Sequence, residues 1–158
     1  MTTFTLTSPA FRDGDTLPLA QVHTDAGGAN QSPELHWTNP PAGTKSFALS
    51  CYDPDAPTGS GFWHWYIINL PAALRSLPAN AAAHLPAGAR HARNDYGDYN
   101  YGGACPPPGH GAHRYIFTIH ALDCDHLELP EDVTTARVGF NVWAHSLGSA
   151  SLTGTFGR

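Results

Sequence analysis

Cys51-Tyr52-Asp53-Pro54-Asp55-Ala56-Pro57-Thr58-Gly59-Ser60-Gly61-Phe62-Trp63-His64-Trp65 sets two carboxylates, two prolines and two glycines directly before an aromatic segment that carries a histidine. Proline fixes φ and removes an amide donor, and glycine admits turns of positive φ. A loop this constrained holds its side chains in place. The flanking segments read as strands. In 45–52, Phe47, Leu49 and Cys51 alternate with Ala48, Ser50 and Tyr52. In 62–70 both faces are apolar or aromatic, as in a central strand covered on both sides. Strict alternation there puts His64 with Tyr66 and Ile68, and Trp63 with Trp65 and Ile67.

A second rigid loop follows: Gly102-Gly103-Ala104-Cys105-Pro106-Pro107-Pro108-Gly109-His110-Gly111-Ala112-His113-Arg114-Tyr115. It leads into a third strand over 113–122, with Tyr115, Phe117 and Ile119 alternating against Arg114, Thr118 and His120. Phe4 and Leu6 mark a short first strand. Residues 8–33 are rich in turn formers, and 71–77 reads as one or two helical turns. Residues 78–112 form the longest irregular stretch, and the polar–aromatic run Asn94 to Tyr101 within it suits either a pocket mouth or a turn. Val133, Ala136, Phe140, Trp143, Leu147 and Ala150 recur every three or four residues, which predicts a C-terminal helix of about five turns with one apolar stripe.

The chain of 158 residues is expected to form a single domain over 1–158, large enough for a substantial core. Sixteen glycines, fourteen prolines and only 13% charged residues favour short strands and turns over long helices. A net charge of −5 argues against nucleic acid and against anionic membranes as partners. No apolar run is long enough to span a bilayer and no secretory leader is evident. Three irregularly spaced cysteines do not form a disulfide framework, so the expected setting is the cytoplasm.

In order and spacing, D-P-D-A-P, H-W, the Gly/Pro turn and H-R-Y resemble the phosphatidylethanolamine-binding protein family, in particular its bacterial Raf-kinase-inhibitor-like branch. Ser32-Pro33-Glu34-Leu35-His36-Trp37 and the ending Ser151 to Arg158 extend the likeness over most of the chain. The resemblance implies a mainly β sandwich with Greek-key topology, few short helices and a C-terminal helix. It also implies a ligand pocket at Asp53, Pro57, His64, Pro106, Pro107, His113 and Tyr115. Cys105 stands where some members have glycine. Family members that restrain kinases or other signalling proteins make a protein partner a further expectation, and bacterial members imply a homodimer.

The residues themselves point to an anion pocket. Imidazoles at 64 and 113 donate to phosphate or carboxylate oxygens. The backbone from Gly103 to Pro107 offers an amide concavity. Asp53 fixes a histidine tautomer or accepts from the ligand. Asp55 joins this set, and Arg114, on the opposite side of its strand, pairs with Asp53 or Asp55. Two rival chemistries stay open. His110 and His113 with Cys105 nearby are possible metal ligands, although their spacing matches no standard zinc signature. The same Asp/His pocket with water or Cys105 suits hydrolysis of a small ester or phosphoester, although no G-x-S-x-G occurs. The expectation is a binding protein without cofactor, metal or catalytic residues. The four tryptophans, and Cys51 and Cys124, are expected in the core.

Overall fold

A computed structural model describes residues 2–158. The long strands form where apolar side chains alternate. β3 (Ser46–Asp53), β4 (Phe62–Pro71) and β7 (His113–Leu122) lie in one antiparallel sheet, ordered β6-β4-β3-β7-β8, with β6 at Arg90–His91 and β8 at Ser146–Phe156. A smaller antiparallel sheet, β1 (Thr5–Thr7), β2 (Leu35–Thr38) and β5 (Ser76–Leu77), packs against it. Residues 72–112 carry the chain from β4 at one side of β3 to β7 at the other, a Greek-key-like return.

Two cores follow from the alternation. Phe47, Leu49, Cys51, Trp65, Ile67, Tyr115, Phe117 and Ile119 fill the space between the sheets with Leu35 and Trp37. On the other face of the large sheet, Ala48, Tyr66, Ile68 and Leu122 meet Val133, Val138 and Val142 around the α-helix α1 (Thr135–His145). The sheet is covered on both faces, as the apolar reading of β4 requires.

The C-terminal expectation is corrected in two respects. The helix spans eleven residues and ends at His145. Leu147 and Ala150 belong to β8, which pairs with β7 from Phe156↔His113 to Ser146↔Leu122. This full-length ladder satisfies backbone groups that a longer helix would have bonded within itself. The buried helix positions are Thr135, Val138 and Val142, so the face bearing Phe140 and Trp143 is the outer one. Trp143 is 74% exposed and is not core, whereas Trp37 and Trp65 are fully buried. Trp63 is half-buried on the helix side, and Cys124 is also only partly buried. Residues 71–77 form a turn and strand β5 in place of a helical turn.

β4 departs from strict alternation twice. Asn69 adopts φ of 62°, and its side-chain amide closes a pair with Leu127, accepting from its N–H at 2.7 Å and donating to its carbonyl at 3.3 Å. Nearer the loop, Cys51 pairs with Trp65 and Tyr52 with Trp63, which leaves His64 as an extra residue. This β-bulge turns Trp63 to the face of Tyr52 and Tyr66, with ring centroids 4.3 and 5.3 Å away. It turns His64 to the other face, 5.1 Å from the Tyr115 ring. The grouping of His64 with Tyr66 and Ile68 is therefore overturned, and the bulge is what brings His64 to Tyr115.

Candidate functional site

Asp53 closes β3 and opens the first Pro/Gly loop. Its Oδ1 accepts the Asp55 N–H at 2.7 Å, the turn cap expected of Asp before proline. Its Oδ2 accepts from His113 Nδ1 at 2.7 Å, from the first residue of β7. Both side chains are about 2% exposed. Of the two roles expected of Asp53, fixing the histidine tautomer is the one realised, because both carboxylate oxygens already have protein partners. His113 Nε2 lies 2.6 Å from Nδ1 of the exposed His110. Both nitrogens of His113 are thus engaged, and it organises the pocket floor instead of serving as a free donor.

His64 differs. It is 4% exposed, and its Nδ1 lies 2.8 Å from the Gly102 carbonyl. A carbonyl only accepts, so Nδ1 carries the proton and Nε2 is left without a protein partner. Burial, the dominant influence, pushes this imidazole below its ordinary pKa, against the opposing pull of the Gly102 carbonyl and Asp53. In its neutral form His64 presents an acceptor. Tyr115 is 1% exposed with a buried hydroxyl that has no partner, and burial raises its pKa well above that of a free phenol.

These groups share one cavity of about 210 Å³. Asp53, Pro57, His64, Cys105, Pro106, Pro107, His113 and Tyr115 line it as expected, together with Ala56, Thr58, Phe62 and Tyr96. Phe62 and Tyr96 close an aromatic corner around His64, with ring centroids 4.8 Å apart. Tyr96 belongs to the polar–aromatic run 94–101, whose composition admitted such a role. Phe62 and Thr58 carried no signal beyond adjacency to the motif.

Two expected site residues stand outside the cavity. Asp55 turns to Arg114, whose Nη2 and Nε donate to it at 2.9 and 3.0 Å, and the Arg114 backbone N–H adds a third bond at 2.9 Å. The Arg114 bonds hold the Asp55 carboxyl down at about 2. Asp55 therefore fastens the loop to β7. Gly103 spends its amide on Asn30 Oδ1 at 2.7 Å and its carbonyl on the Tyr96 hydroxyl at 2.9 Å. A side chain at Gly103 would meet the His23 nitrogen and Gln21 carbonyl at 2.5 and 2.6 Å, so glycine serves close packing of the loop there and offers no amide to a ligand. The opposite loop is held similarly: Gly61, at φ of +72°, sits beneath the Tyr52 ring, and the Tyr52 hydroxyl donates to the Ser60 carbonyl at 2.9 Å.

His110 and His113 bond to each other rather than converging with Cys105 on a common point. Elsewhere, at the opposite end of β7, Asp123, Cys124 and His145 bring potential metal-ligand atoms within 4.8 Å of one another, with His145 Nδ1 bonded to Asp123 at 2.8 Å.

The family model described as phosphatidylethanolamine-binding protein matches residues 7–157. The chain belongs to the phosphatidylethanolamine-binding protein family. Among curated relatives it is 52% identical to the UPF0098 protein YbhB of Escherichia coli K12, over 96% of this chain and 98% of that one. The crystal structure of E. coli YbcL, described as a new member of the mammalian PEBP family, superposes with a TM-score of 0.95 at 40% identity, covering 99% of both chains. A phosphatidylethanolamine-binding protein homologue, CT736 of Chlamydia trachomatis, gives 0.86 at 30% identity, covering 100% of this chain and 99% of its own. Family membership supports ligand binding in general. Among the described residues, no helix is long and apolar enough to cross a membrane.

Proposed function

We propose that this protein binds a small anionic ligand, a phosphate, phosphoryl head-group or carboxylate, between the two Pro/Gly loops. The observation that carries this reading is that two residues lining one small cavity hold polar atoms without protein partners, the buried Tyr115 hydroxyl and Nε2 of His64, a residue itself 4% exposed. Buried polar groups are rarely left so, and a ligand satisfies both. The hydroxyl donates to an anionic oxygen. His64 Nε2 either accepts from a protonated ligand oxygen or takes up a proton and donates. Hydrolysis is supported less well: among the described residues, no hydroxyl or thiol is hydrogen-bonded to His64 or His113 as a nucleophile would be to its base.

Titration of phosphate and O-phosphorylethanolamine, followed by amide NMR shifts, tests this. Saturable shifts confined to 53–64 and 103–115 are expected, and their loss in His64→Ala. Because burial keeps His64 neutral in the free protein, affinity for an anion that protonates it should rise as pH falls from about 7.5 to 6, by at most about tenfold per pH unit. A flat profile would take imidazolium out of the binding step. Absence of saturable shifts would move the reading to a protein–protein role, the kinase-restraining kind included.

The outer face of α1 favours a second copy of the chain as partner. Phe140 and Trp143 lie 6.0 Å apart by ring centroid, and with Leu147 they leave three large apolar side chains in solvent. Sedimentation should show a dimer that Trp143→Glu converts to monomer, with the fold retained. A wild-type monomer at micromolar concentration would exclude this contact. We place the protein in the cytoplasm, a reading that its three unpaired cysteines support.

A further inference from the structure

Cys105 carries the only thiol among the cavity-lining residues. Its Sγ lies 3.6 Å from Nη2 of Arg158. That guanidinium is fixed in place: Nε donates to the Pro106 carbonyl at 2.8 Å and Nη1 reaches the Asp25 carbonyl at 3.5 Å, while the Arg158 carbonyl accepts the Gly109 N–H at 2.6 Å. Disulfides are attacked by a thiolate sulfur, and the Arg158 guanidinium stands directly beside the sulfur that would make the attack. The other two cysteines are poorly placed for this chemistry. Cys51 is buried in the core, and burial pushes its thiol well up. Burial and the neighbouring Asp123 carboxylate push the Cys124 thiol up as well. Cys105 is half-buried and lines the same cavity as His64 and Tyr115. The one carboxylate on that wall, Asp53, is committed to His113 and the Asp55 amide. A disulfide bearing carboxylate groups therefore finds an anion subsite and a nucleophile side by side.

We propose that Cys105 is a reversible modification site, at which a small acidic disulfide forms a mixed disulfide that closes the anion pocket. The Cys105 thiol loses its proton to solvent. Its thiolate attacks one sulfur of the incoming disulfide, forming a new S–S bond as the old one breaks. The other half leaves as a thiolate and is protonated, so Cys105 is oxidised and the leaving sulfur is reduced. Excess small thiol reverses the step. The inference rests on the anion-pocket reading for the closure, whereas the reactivity of the thiol rests on Arg158.

The test uses 5,5′-dithiobis(2-nitrobenzoate), whose released thiolate is coloured, on the folded protein. One fast equivalent is expected from wild type and from Cys124→Ser, and none from Cys105→Ser. Arg158→Gln should slow it by roughly tenfold, with Arg158→Lys between the two. Saturating phosphate should slow the wild type, and protein modified with glutathione disulfide should lose its phosphate-induced amide shifts. A fast phase that survives in Cys105→Ser, or a rate indifferent to both Arg158 variants, overturns the assignment. Saturable phosphate shifts with an inert Cys105 overturn it while leaving the anion pocket standing. An Arg158-dependent Cys105 reaction with no phosphate shifts and no protection supports the reactive thiol and removes the pocket as an anion site.

Discussion

Asp53→Ala should lower unfolding stability by roughly 3–5 kcal/mol at pH 7 and abolish anion binding, measured by urea denaturation and by phosphate titration. The size follows from how completely the carboxylate is used. One oxygen caps the loop through the Asp55 amide, and the other holds His113 Nδ1 in a site about 2% exposed. Removing it strands the buried His113 donor and the part-buried Asp55 amide at once, and a buried group left unpaired costs more than the bond was worth. The pair also spans 60 residues of sequence, so it pins the start of β7 to the end of β3. Asp53→Asn keeps the cap acceptor and the volume, and its loss should be smaller, since only the histidine contact must rearrange. A cost below about 1 kcal/mol for the alanine variant would mean that solvent reaches both donors.

The second large effect is acid destabilisation well above the carboxylate range. Burial holds His91 and His120 down at about 4 and lowers His64 in the same direction. His91 has a further reason to stay neutral, since its Nε2 accepts the Trp65 indole N–H at 3.0 Å. At His91 and His120 the unfolded chain takes up its protons near pH 6.5, the folded chain only near 4. Stability from these groups is therefore complete above about pH 6.5 and drains away as pH falls toward 4, beyond which it falls no further. At 1.36 kcal/mol per unit His120 contributes up to about 3 kcal/mol and the half-buried His91 less, so a combined loss from these two of about 3–5 kcal/mol between pH 7 and 4 is expected. Urea melts at pH 7, 5.5 and 4 measure it, and His120→Gln should flatten the profile by its own share. The Asp55–Arg114 pair acts in a separate window, from the ordinary carboxylate range down to about 2, and being largely solvated it contributes little. A profile flat from pH 7 to 4.5 would contradict the histidine account.

The sequence disclosed the parts of the molecule whose signal is local. β3, β4 and β7 are legible because each is long and apolar at alternate positions. The pocket walls are legible because two Pro/Gly loops flank histidine-bearing strands. What stayed hidden depends on pairing. β8, Ser-Leu-Gly-Ser-Ala-Ser-Leu-Thr-Gly-Thr-Phe, is rich in small residues and forms because β7 offers ten partners for its backbone. Apolar spacing at three and four runs through His145 without a break, so only that ladder marks where the helix stops. The outward face of Phe140 and Trp143 was likewise unreadable, since Val138 and Val142 form a competing and smaller stripe. At the site, Asp55 and Gly103 were misplaced because type and spacing cannot show which hydrogen bonds are already taken.

The extra residue at His64 makes the binding site a question of parity. A strand can gain or lose one residue and keep its hydrogen-bonded neighbours, but every side chain on one side of the change then swaps faces. In this protein that swap alone separates a histidine looking into the cavity from one buried under the helix. A deletion that removes the extra residue should thus turn this histidine away from the cavity and leave the sheet standing. The number of residues between Asp53 and Trp65 therefore decides which way this histidine faces, and its presence in the sequence alone does not.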